Sequence, residues 1–531
     1  MALSDFFSAS KSFLSVFDIF FYDATGKERP FWQKIVLSAL LGSLAIVAYT
    51  PHSFSVLGGL IPLTLSLSGF ATLLFQEKTF KKAFYISLSF FFFYYFSTLY
   101  WVGHAFAVVG LGWLSPLAYG GLPLALSILP IAASVLTWRY TQTLSKTARA
   151  LALVAALTIT FLLQMLGSFA FPWVLPGYVL PLELQQMAAF IGIEGLSFLV
   201  LFISFTLFVR TWGYTFFSTA ILVGLALCGY LRLAHDTVLT PYNFRIIQPS
   251  IQQTAKWDPE QTQRHLQLQG LLSQLDAEKP VQAILWPEAA VTFDFSKYPE
   301  IQKMLGNAAP QGGYVFLGSV REDGDSPRNS LVALNDKGEI QALYDKKHLV
   351  PFGEYIPFRF LFPGVNKITH GAKDFVPGTR DNIIAIKNVP PFRPLICYEA
   401  IFSREIFSPK DKASKTPAQW LLNLTNDAWY GDSYGPHQHL GNVRVRAIEQ
   451  GLPLVRVANN GISAVIDPYG RILHKLDLND IGIIDFSLPE AIAPTFYSLH
   501  GHWVVPCLFA LSLMIFIALY SLRQTSLFKK K

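Results

Sequence analysis

The stretch Arg393-Pro394-Leu395-Ile396-Cys397-Tyr398-Glu399-Ala400 decides the reading of this chain. A short apolar run suited to a buried strand ends in one cysteine, and an acidic, helix-compatible segment follows. A thiol at a strand-to-helix turn sits near the positive end of a helix dipole, which favours the thiolate. Main-chain N–H groups at such a turn can also face a developing oxyanion. The same pattern suits an inert core cysteine, because free cysteine is among the most buried residue types. Two further stretches, Trp286-Pro287-Glu288 and Tyr344-Asp345-Lys346, favour chemistry over packing.

Around that stretch the 531 residues divide by composition. Only 15% are charged, 15% are aromatic, and mean hydropathy is positive. Residues 1–235 carry apolar runs long enough to cross a bilayer, whereas 240–490 reads as an ordinary water-facing domain. Spans are predicted at 35–50, 54–75, 83–107, 117–137, 150–167, 187–209 and 215–233, with an eighth near 502–522. The segment from Asp5 to Tyr22 has no basic n-region and no small-residue cleavage site, so it reads as an interfacial helix rather than a cleavable signal.

Basic residues orient the spans. Lys27, Arg29 and Lys34 precede the first, Lys78, Lys81 and Lys82 separate the second and third, and Arg139, Lys146 and Arg149 separate the fourth and fifth. Arg210 lies between the sixth and seventh, and Arg523, Lys529, Lys530 and Lys531 follow the eighth. The alternate loops 50–53, 108–116 and 168–186 contain neither Lys nor Arg. The expected division is therefore a cytoplasmic or interfacial segment at 1–34, a seven-helix bundle at 35–234 and a non-cytoplasmic domain at 235–500. An eighth helix at 501–523 and a basic cytoplasmic tail at 524–531 complete it. Both termini are expected in the cytoplasm.

Several function classes fit poorly. Cys228, Cys397 and Cys507 lie far apart, which gives neither a disulfide framework nor a CxxC metal site. The net charge of +7 is not gathered into one aromatic-interleaved patch, so it reads as topology and not as nucleic-acid binding. A transporter would place ionisable groups inside the bundle. The spans hold few, among them Glu194 and Arg232. His437 and His439 lack a nearby thiol or acidic pair and read as structural, not as metal ligands.

Within the water-facing domain, strands are predicted at 243–247, 283–285, 314–320, 331–334, 383–386, 395–396, 420–424, 454–458, 463–466 and 482–486. Helices are predicted at 260–275 and 437–450, and 408–417 as a charged loop. Asn335-Asp336-Lys337-Gly338 and Asp467-Pro468-Tyr469-Gly470 are hairpin turn signals. The mixture indicates one α/β sandwich. Glu288, Lys346 and Cys397 each fall beside or just beyond a short strand. Cysteine attack on a carbonyl needs a base for the thiol proton, and a carboxylate can serve. A fixed cation favours the thiolate and the tetrahedral oxyanion. Each residue also has an ordinary structural reading: a helix-start carboxylate, a solvated lysine beside Lys347, a core thiol.

Trp286-Pro287-Glu288, Tyr344-x-Lys346-x-His348-Leu349-Val350-Pro351-Phe352-Gly353-Glu354 and Cys397-Tyr398-Glu399 resemble the Glu-Lys-Cys blocks of the nitrilase superfamily. Together with the spans, residues Thr425 to Trp429, Gly435-Pro436-His437-Gln438-His439 and Asn459-Asn460-Gly461, the chain resembles the bacterial apolipoprotein N-acyltransferases. That resemblance implies a multi-pass inner-membrane protein: eight transmembrane helices carrying a periplasmic α-β-β-α nitrilase-like domain. It implies that Cys397 takes the sn-1 acyl chain of a phospholipid, phosphatidylethanolamine, as a thioester. The chain then passes to the α-amine of a diacylglyceryl-cysteine lipoprotein. Glu288 would be the base and Lys346 the oxyanion partner, with no metal or dissociable cofactor.

Matching supporting positions are Trp257, Glu354, Tyr398 and Glu399, where Glu354 would orient Lys346 and Glu399 would fix the turn. Trp257 and Trp429 either line the acyl or headgroup region or simply pack. The aromatic loop Phe169-Ala170-Phe171-Pro172-Trp173 to Tyr178 reads as an interfacial belt or as the lining of a lipid entry path. Phe358-Arg359-Phe360-Leu361-Phe362-Pro363 reads as a membrane-dipping lid, with core packing as the alternative. The rival enzyme is a membrane-anchored nitrilase-type amidase with water as acceptor. Seven spans exceed what an anchor needs.

Overall fold

A computed structural model of the chain describes residues 21–22, 26–50, 57–167, 170–361, 364, 366–371, 373–379 and 383–528. All but the last two residues of the interfacial helix expected from Asp5 to Tyr22, Phe169 of the aromatic loop, Phe362 and Pro363, and the terminal lysines lie outside the described residues.

Among the described residues the longer helices ahead of the soluble domain are α1 (Phe31–Ser43, continued by Ala45–Tyr49), α2 (Leu60–Gln76), α3 (Phe80–Thr98), α4 (Ser115–Thr141), α5 (Lys146–Leu163), α6 (Ala188–Ser204) and α7 (Trp212–Leu233). Among the described residues six helices are long and apolar enough to cross a membrane, and up to seven if α3 and Tyr100–Val108, bent by 63°, form one broken span. The apolar helix α2, at 17 residues, is shorter than that length. The span ending at Val209 and the one starting at Lys146 form the bundle centre, 72% and 67% buried, whereas Trp212–Leu233 is only 17% buried. Small residues permit close approach. A Cβ on Gly42 of α1 would stand 2.3 Å from the Phe90 carbonyl of α3. The outward faces carry Trp212, Phe216, Phe217 and Tyr230, a surface suited to lipid and not to water.

The soluble domain runs from β1 (Leu239–Gln248) through α8 (Thr262–Ser273), β2 (Ala283–Leu285), α9 (Pro299–Gly306), β3 (Tyr314–Asp323), β4 (Ser326–Asn335), β5 (Ile340–Asp345), β6 (Ile384–Ile386) and β7 (Val389–Ile396). It continues with β8 (Trp420–Thr425), α10 (Gly435–Gln450), β9 (Leu454–Ala458), β10 (Ser463–Ile466), β11 (Ile472–Leu476) and β12 (Gly482–Pro489), before the last apolar helix α11 (Val504–Phe528). The strands form two six-stranded sheets, β12-β1-β2-β3-β4-β5 and β11-β10-β9-β8-β7-β6. Each has a parallel centre, β1-β2-β3 and β7-β8-β9, with antiparallel edges.

Alternation along the strands builds the layers. Phe244, Leu285, Phe316 and Tyr344 meet Phe392, Trp420, Leu424 and Val457 between the sheets. The opposite faces send Ile247, Ile284 and Val315 to Leu266 of α8 and Leu305 of α9, and Leu395, Leu421 and Leu454 to Val443 and Ala447 of α10. The result is the expected α-β-β-α sandwich. Three elements had no sequence expectation. β5 and β11 are the return arms of the two hairpins, and their apolar residues do not alternate with polar ones, while α9 is short. The charged loop at 408–417 contains one helical turn, Pro409–Lys412, closed by a Ser408–Asp411 capping box.

One buried cation fastens β1 to α8. Arg245 is 1% exposed, pairs with Asp485 of β12 through Nε and Nη2 at 2.7 Å each, and donates to the Ser273, Leu275 and Asp276 carbonyls at the end of α8. Arg245→Met strands those carbonyls and Asp485. It is expected to cost about 2–3 kcal/mol, read as a lower thermal midpoint, and adding Asp485→Leu should recover part of the loss.

Candidate active site

Glu288, Lys346 and Cys397 lie just past the carboxyl ends of β2, β5 and β7. The first two strands belong to one sheet and the third to the other, so face-to-face packing of the sheets assembles the site. All three side chains are buried. Lys346 Nζ stands 2.9 Å from Glu354 Oε2 and 3.7 Å from Glu288 Oε1. Asn329 of β4 donates from Nδ2 to both carboxylates, at 2.7 Å to Glu288 Oε1 and 3.0 Å to Glu354 Oε1. Glu354 also accepts from the Val350 N–H at 2.8 Å, which fixes its own orientation.

Cys397 opens a 3-10 turn, Cys397–Ile401, with φ of +51°. Glu399 holds that turn. Its Oε2 accepts from the Ile396 N–H at 2.7 Å, and its Oε1 accepts from the Tyr344 hydroxyl at 2.8 Å and the Lys347 N–H at 2.7 Å. One carboxylate thus ties the nucleophile turn to the segment bearing Lys346. Tyr398 donates to the Ala170 carbonyl at 2.8 Å and so fastens the same turn to the bundle.

The electrostatics correct one expectation. A short 3-10 turn follows Cys397, not a helix whose dipole would favour the thiolate. Burial raises the Cys397 pKa to about 12, and the Glu288 carboxylate adds to this while Lys346 opposes it. The Cys397 thiol is therefore protonated at neutral pH, and a thiol in that state could attack a carbonyl only with a base to take its proton. Burial also raises the Glu288 pKa above its ordinary value, with Lys346 pulling it back. Lys346 stays cationic: burial acts against its charge, but Glu354 and Glu288 more than offset that.

A second lysine escaped the sequence reading. Lys256 is 3% exposed and donates from Nζ to the Glu288 carbonyl at 2.8 Å. Burial lowers its pKa to about 8, with Glu288 and Cys397 acting in the other direction. It precedes Trp257, the residue the motif did single out. Asn329 carries no motif signal at all, since an asparagine in an edgeward strand is not distinctive by itself. Asn423, Asp427, His439 and Arg456 also surround the site without having been read as a group.

The remaining candidates distribute differently. Trp257 stacks on His370 with centroids 5.2 Å apart, and its Nε1 is buried without a hydrogen-bond partner. Trp429 is half-buried in the turn Asp427–Tyr430. Trp173 is 1% exposed, donates to Gln438 Oε1 at 2.9 Å and packs against Phe171 and Trp101, so it is a domain-to-bundle contact and not an open lining. Phe358 and Phe360 are 56% and 79% exposed beside Leu361, an apolar loop tip outside any core.

The Carbon-nitrogen hydrolase family model matches residues 245–495, and the Apolipoprotein N-acyltransferase N-terminal domain model matches residues 38–206. An apolipoprotein N-acyltransferase from Rhodopseudomonas palustris is 34% identical over 519 residues, covering 91% of this chain and 95% of that one. The Bradyrhizobium diazoefficiens protein of the same name is 37% identical over 464 residues, 79% and 84% of the two chains. That of Rickettsia prowazekii is 32% identical over 496 residues, 89% and 96%. A crystal structure of an amidase from Nesterenkonia sp. aligns with 51% of this chain and 99% of that one at 18% identity and a TM-score of 0.35. The two family models in tandem, and relatives matched over nearly their whole length, replace the water-using amidase reading: the chain belongs to the apolipoprotein N-acyltransferase family, membrane-bound acyltransferases of the nitrilase superfamily.

Proposed function

We propose that this protein moves an acyl chain from a phospholipid to the N-terminus of a lipoprotein through a thioester on Cys397. The observation that carries the reading is the burial of a protonated thiol, a carboxylate base and a fixed cation at the ends of three strands. As Cys397 Sγ attacks the sn-1 ester carbonyl, its proton passes to Glu288, and Lys346 faces the oxyanion. The carbon–oxygen bond breaks, Glu288 returns the proton to the departing oxygen, and lysophospholipid leaves. The free α-amine of an S-diacylglyceryl-cysteine then attacks the thioester. Glu288 takes the amine proton, the carbon–sulfur bond breaks, and the proton returns to the Cys397 thiolate.

In this reading Glu354 and Asn329 hold Lys346 and Glu288 in register, Glu399 and Tyr398 hold the nucleophile turn, and Trp257 and Trp429 contribute to substrate lining. Phosphatidylethanolamine is the donor. Phe358 and Phe360 dip into the membrane, as their exposure supports. The bundle at 35–234 and the helix at 501–523 make eight spans of the bacterial inner membrane. The domain at 235–500 is periplasmic, the segment 1–34 and tail 524–531 are cytoplasmic, and the basic loops support that orientation.

The test is incubation of the purified protein with phosphatidylethanolamine in the absence of acceptor. One acyl group is expected on the Cys397 peptide, released by hydroxylamine and absent in Cys397→Ala. A diacylglyceryl lipopeptide added next should leave with the chain as an amide. Release of free fatty acid alone would restore water as the acceptor, and an unmodified Cys397 in folded protein would sink the thioester.

Acylation requires ionised Glu288. Because that carboxyl titrates above its ordinary 4.5, the single-turnover rate should fall on acidification at pH values above 4.5. Glu288→Gln should lower the rate by about 100-fold or more and abolish the acid limb. The Glu354 charge also raises Glu288. Glu354→Gln should therefore move the limb to lower pH while reducing the plateau, because Lys346 loses its nearest partner.

A further inference from the structure

A second set of buried polar groups touches the main chain of the nucleophile and takes no part in the steps above. Cys397 has φ of +51°, a left-handed conformation that a side-chain-bearing residue keeps only when its surroundings impose it. β7 ends at Ile396, so the Cys397 carbonyl lies beyond the ladder pairs of β7 and β8. Asn423 of β8 reaches past that end. Its Nδ2 donates to the Leu395 carbonyl at 3.1 Å and lies 3.5 Å from the Cys397 carbonyl.

The orientation of that amide is dictated from the next strand. Leu395, Asn423 and Arg456 form one row across the parallel strands β7, β8 and β9. Arg456 Nη1 donates to Asn423 Oδ1 at 2.6 Å, which leaves only the amide nitrogen to face the carbonyls. Arg456 is itself held: Nη2 pairs with Asp427 Oδ2, and Nε donates to the Ile462 carbonyl at 3.2 Å. Asp427 Oδ1 is shared by the Thr425 hydroxyl at 3.0 Å and His439 Nδ1 at 2.9 Å. The His439 ring lies 5.1 Å from the Trp173 ring. Arg456, Asn423 and His439 are fully buried and Asp427 is 1% exposed. An asparagine in a strand centre and an ion pair in a dry interior are both costly choices, and neither is needed for packing.

We propose that Asn423 is a positioning residue for the nucleophile, oriented by Arg456 and through it by Asp427, so that a relay across three strands keeps Cys397 in its strained geometry. The inference rests on Cys397 being the acylated residue. In this proposal the relay acts through Cys397 alone, so its loss should slow acylation without altering lipid affinity. A sub-ångström drift of a nucleophile is enough to cost large factors in rate.

The test uses the full-length detergent-solubilised protein and single-turnover acylation of Cys397 from phosphatidylethanolamine, followed by mass spectrometry. Asn423→Ala is expected to slow acylation about 100-fold, with the lipid concentration for half-maximal rate changed less than about twofold. Iodoacetamide labelling of Cys397 should slow in parallel, since that reagent needs no lipid site. Arg456→Lys keeps a cation for Asp427 but loses the fork to Asn423, and should slow acylation about tenfold. The double variant should be no slower than Asn423→Ala alone, because both changes cut one chain.

Unchanged acylation in folded Asn423→Ala, multiplied effects in the double variant, or a loss confined to lipid affinity would each overturn the proposal. If Asn423→Ala does not fold, Asn423→Ser takes its place in the same comparison, and wild-type rates in folded Asn423→Ser and Arg456→Lys overturn it equally. Absence of acyl-Cys397 in the wild type would refute the thioester instead, which separates the two failures.

Discussion

Two carboxylates (Glu288, Glu354), two lysines (Lys256, Lys346) and the Cys397 thiol are buried together, and the cost of burying them governs the rest of the site. Unpaired, any one of these charges would be expelled or neutralised. Glu288 and Glu354 are therefore bridged on one side by Lys346 and on the other by the Asn329 amide, while Lys256 is spent on the Glu288 main chain. The arrangement keeps Lys346 charged and Cys397 protonated at rest. Burial thus keeps a proton on the Cys397 sulfur and raises the proton affinity of Glu288, the pairing that the proposed thioester chemistry needs.

Specific hydrogen bonds join the soluble domain to the bundle beside this site. Gln438 of α10 accepts from Trp101 at 3.0 Å and Trp173 at 2.9 Å and donates to the Thr98 carbonyl at 3.2 Å. Glu194 of α6 accepts from Ser403, six residues beyond the nucleophile, and from Tyr497. α6 is broken at Gly192, where φ is +63° and a Cβ would stand 2.1 Å from the Tyr497 ring. The break leaves the Ile193 N–H to donate to Glu449 of α10 at 2.8 Å. Glu194 is thus a tertiary joint between bundle and domain, not an ion-pathway residue.

Much of this was legible from the chain. The strand-ending positions of Glu288, Lys346 and Cys397 are readable from local motifs, and Glu354 and Glu399 from the family resemblance. The structure pairs Lys346 with Glu288 and Glu354, ties Glu399 to Tyr344 and the Ile396 N–H, and puts Cys397 within electrostatic reach of Glu288 and Lys346. The expected strands 283–285, 420–424, 454–458 and 463–466 match β2, β8, β9 and β10 to within a residue, whereas 331–334 and 395–396 cover only the inner ends of β4 and β7. β5 and β11 are not legible, because exposed Ile340 and Ile472 and buried Asp345 break any apolar-polar alternation, and only pairing with a preceding arm makes them strands. Trp173 looked like a lipid-facing aromatic because a hydropathy pattern does not distinguish a membrane belt from a domain interface.

By itself the sequence determined which residues are apolar, where turns must fall, and which three chemistries end strands. Those properties are local, set by side-chain type and spacing along one chain. The tertiary structure decided the protonation of Cys397, the company of Lys256 and Asn329, and the row Leu395–Asn423–Arg456. Each of these depends on burial and on register between strands distant in sequence. A dipole argument made at one turn favoured a thiolate; desolvation by the opposing sheet outweighs it, because removing water acts on the whole charge while a short turn offers only a partial one.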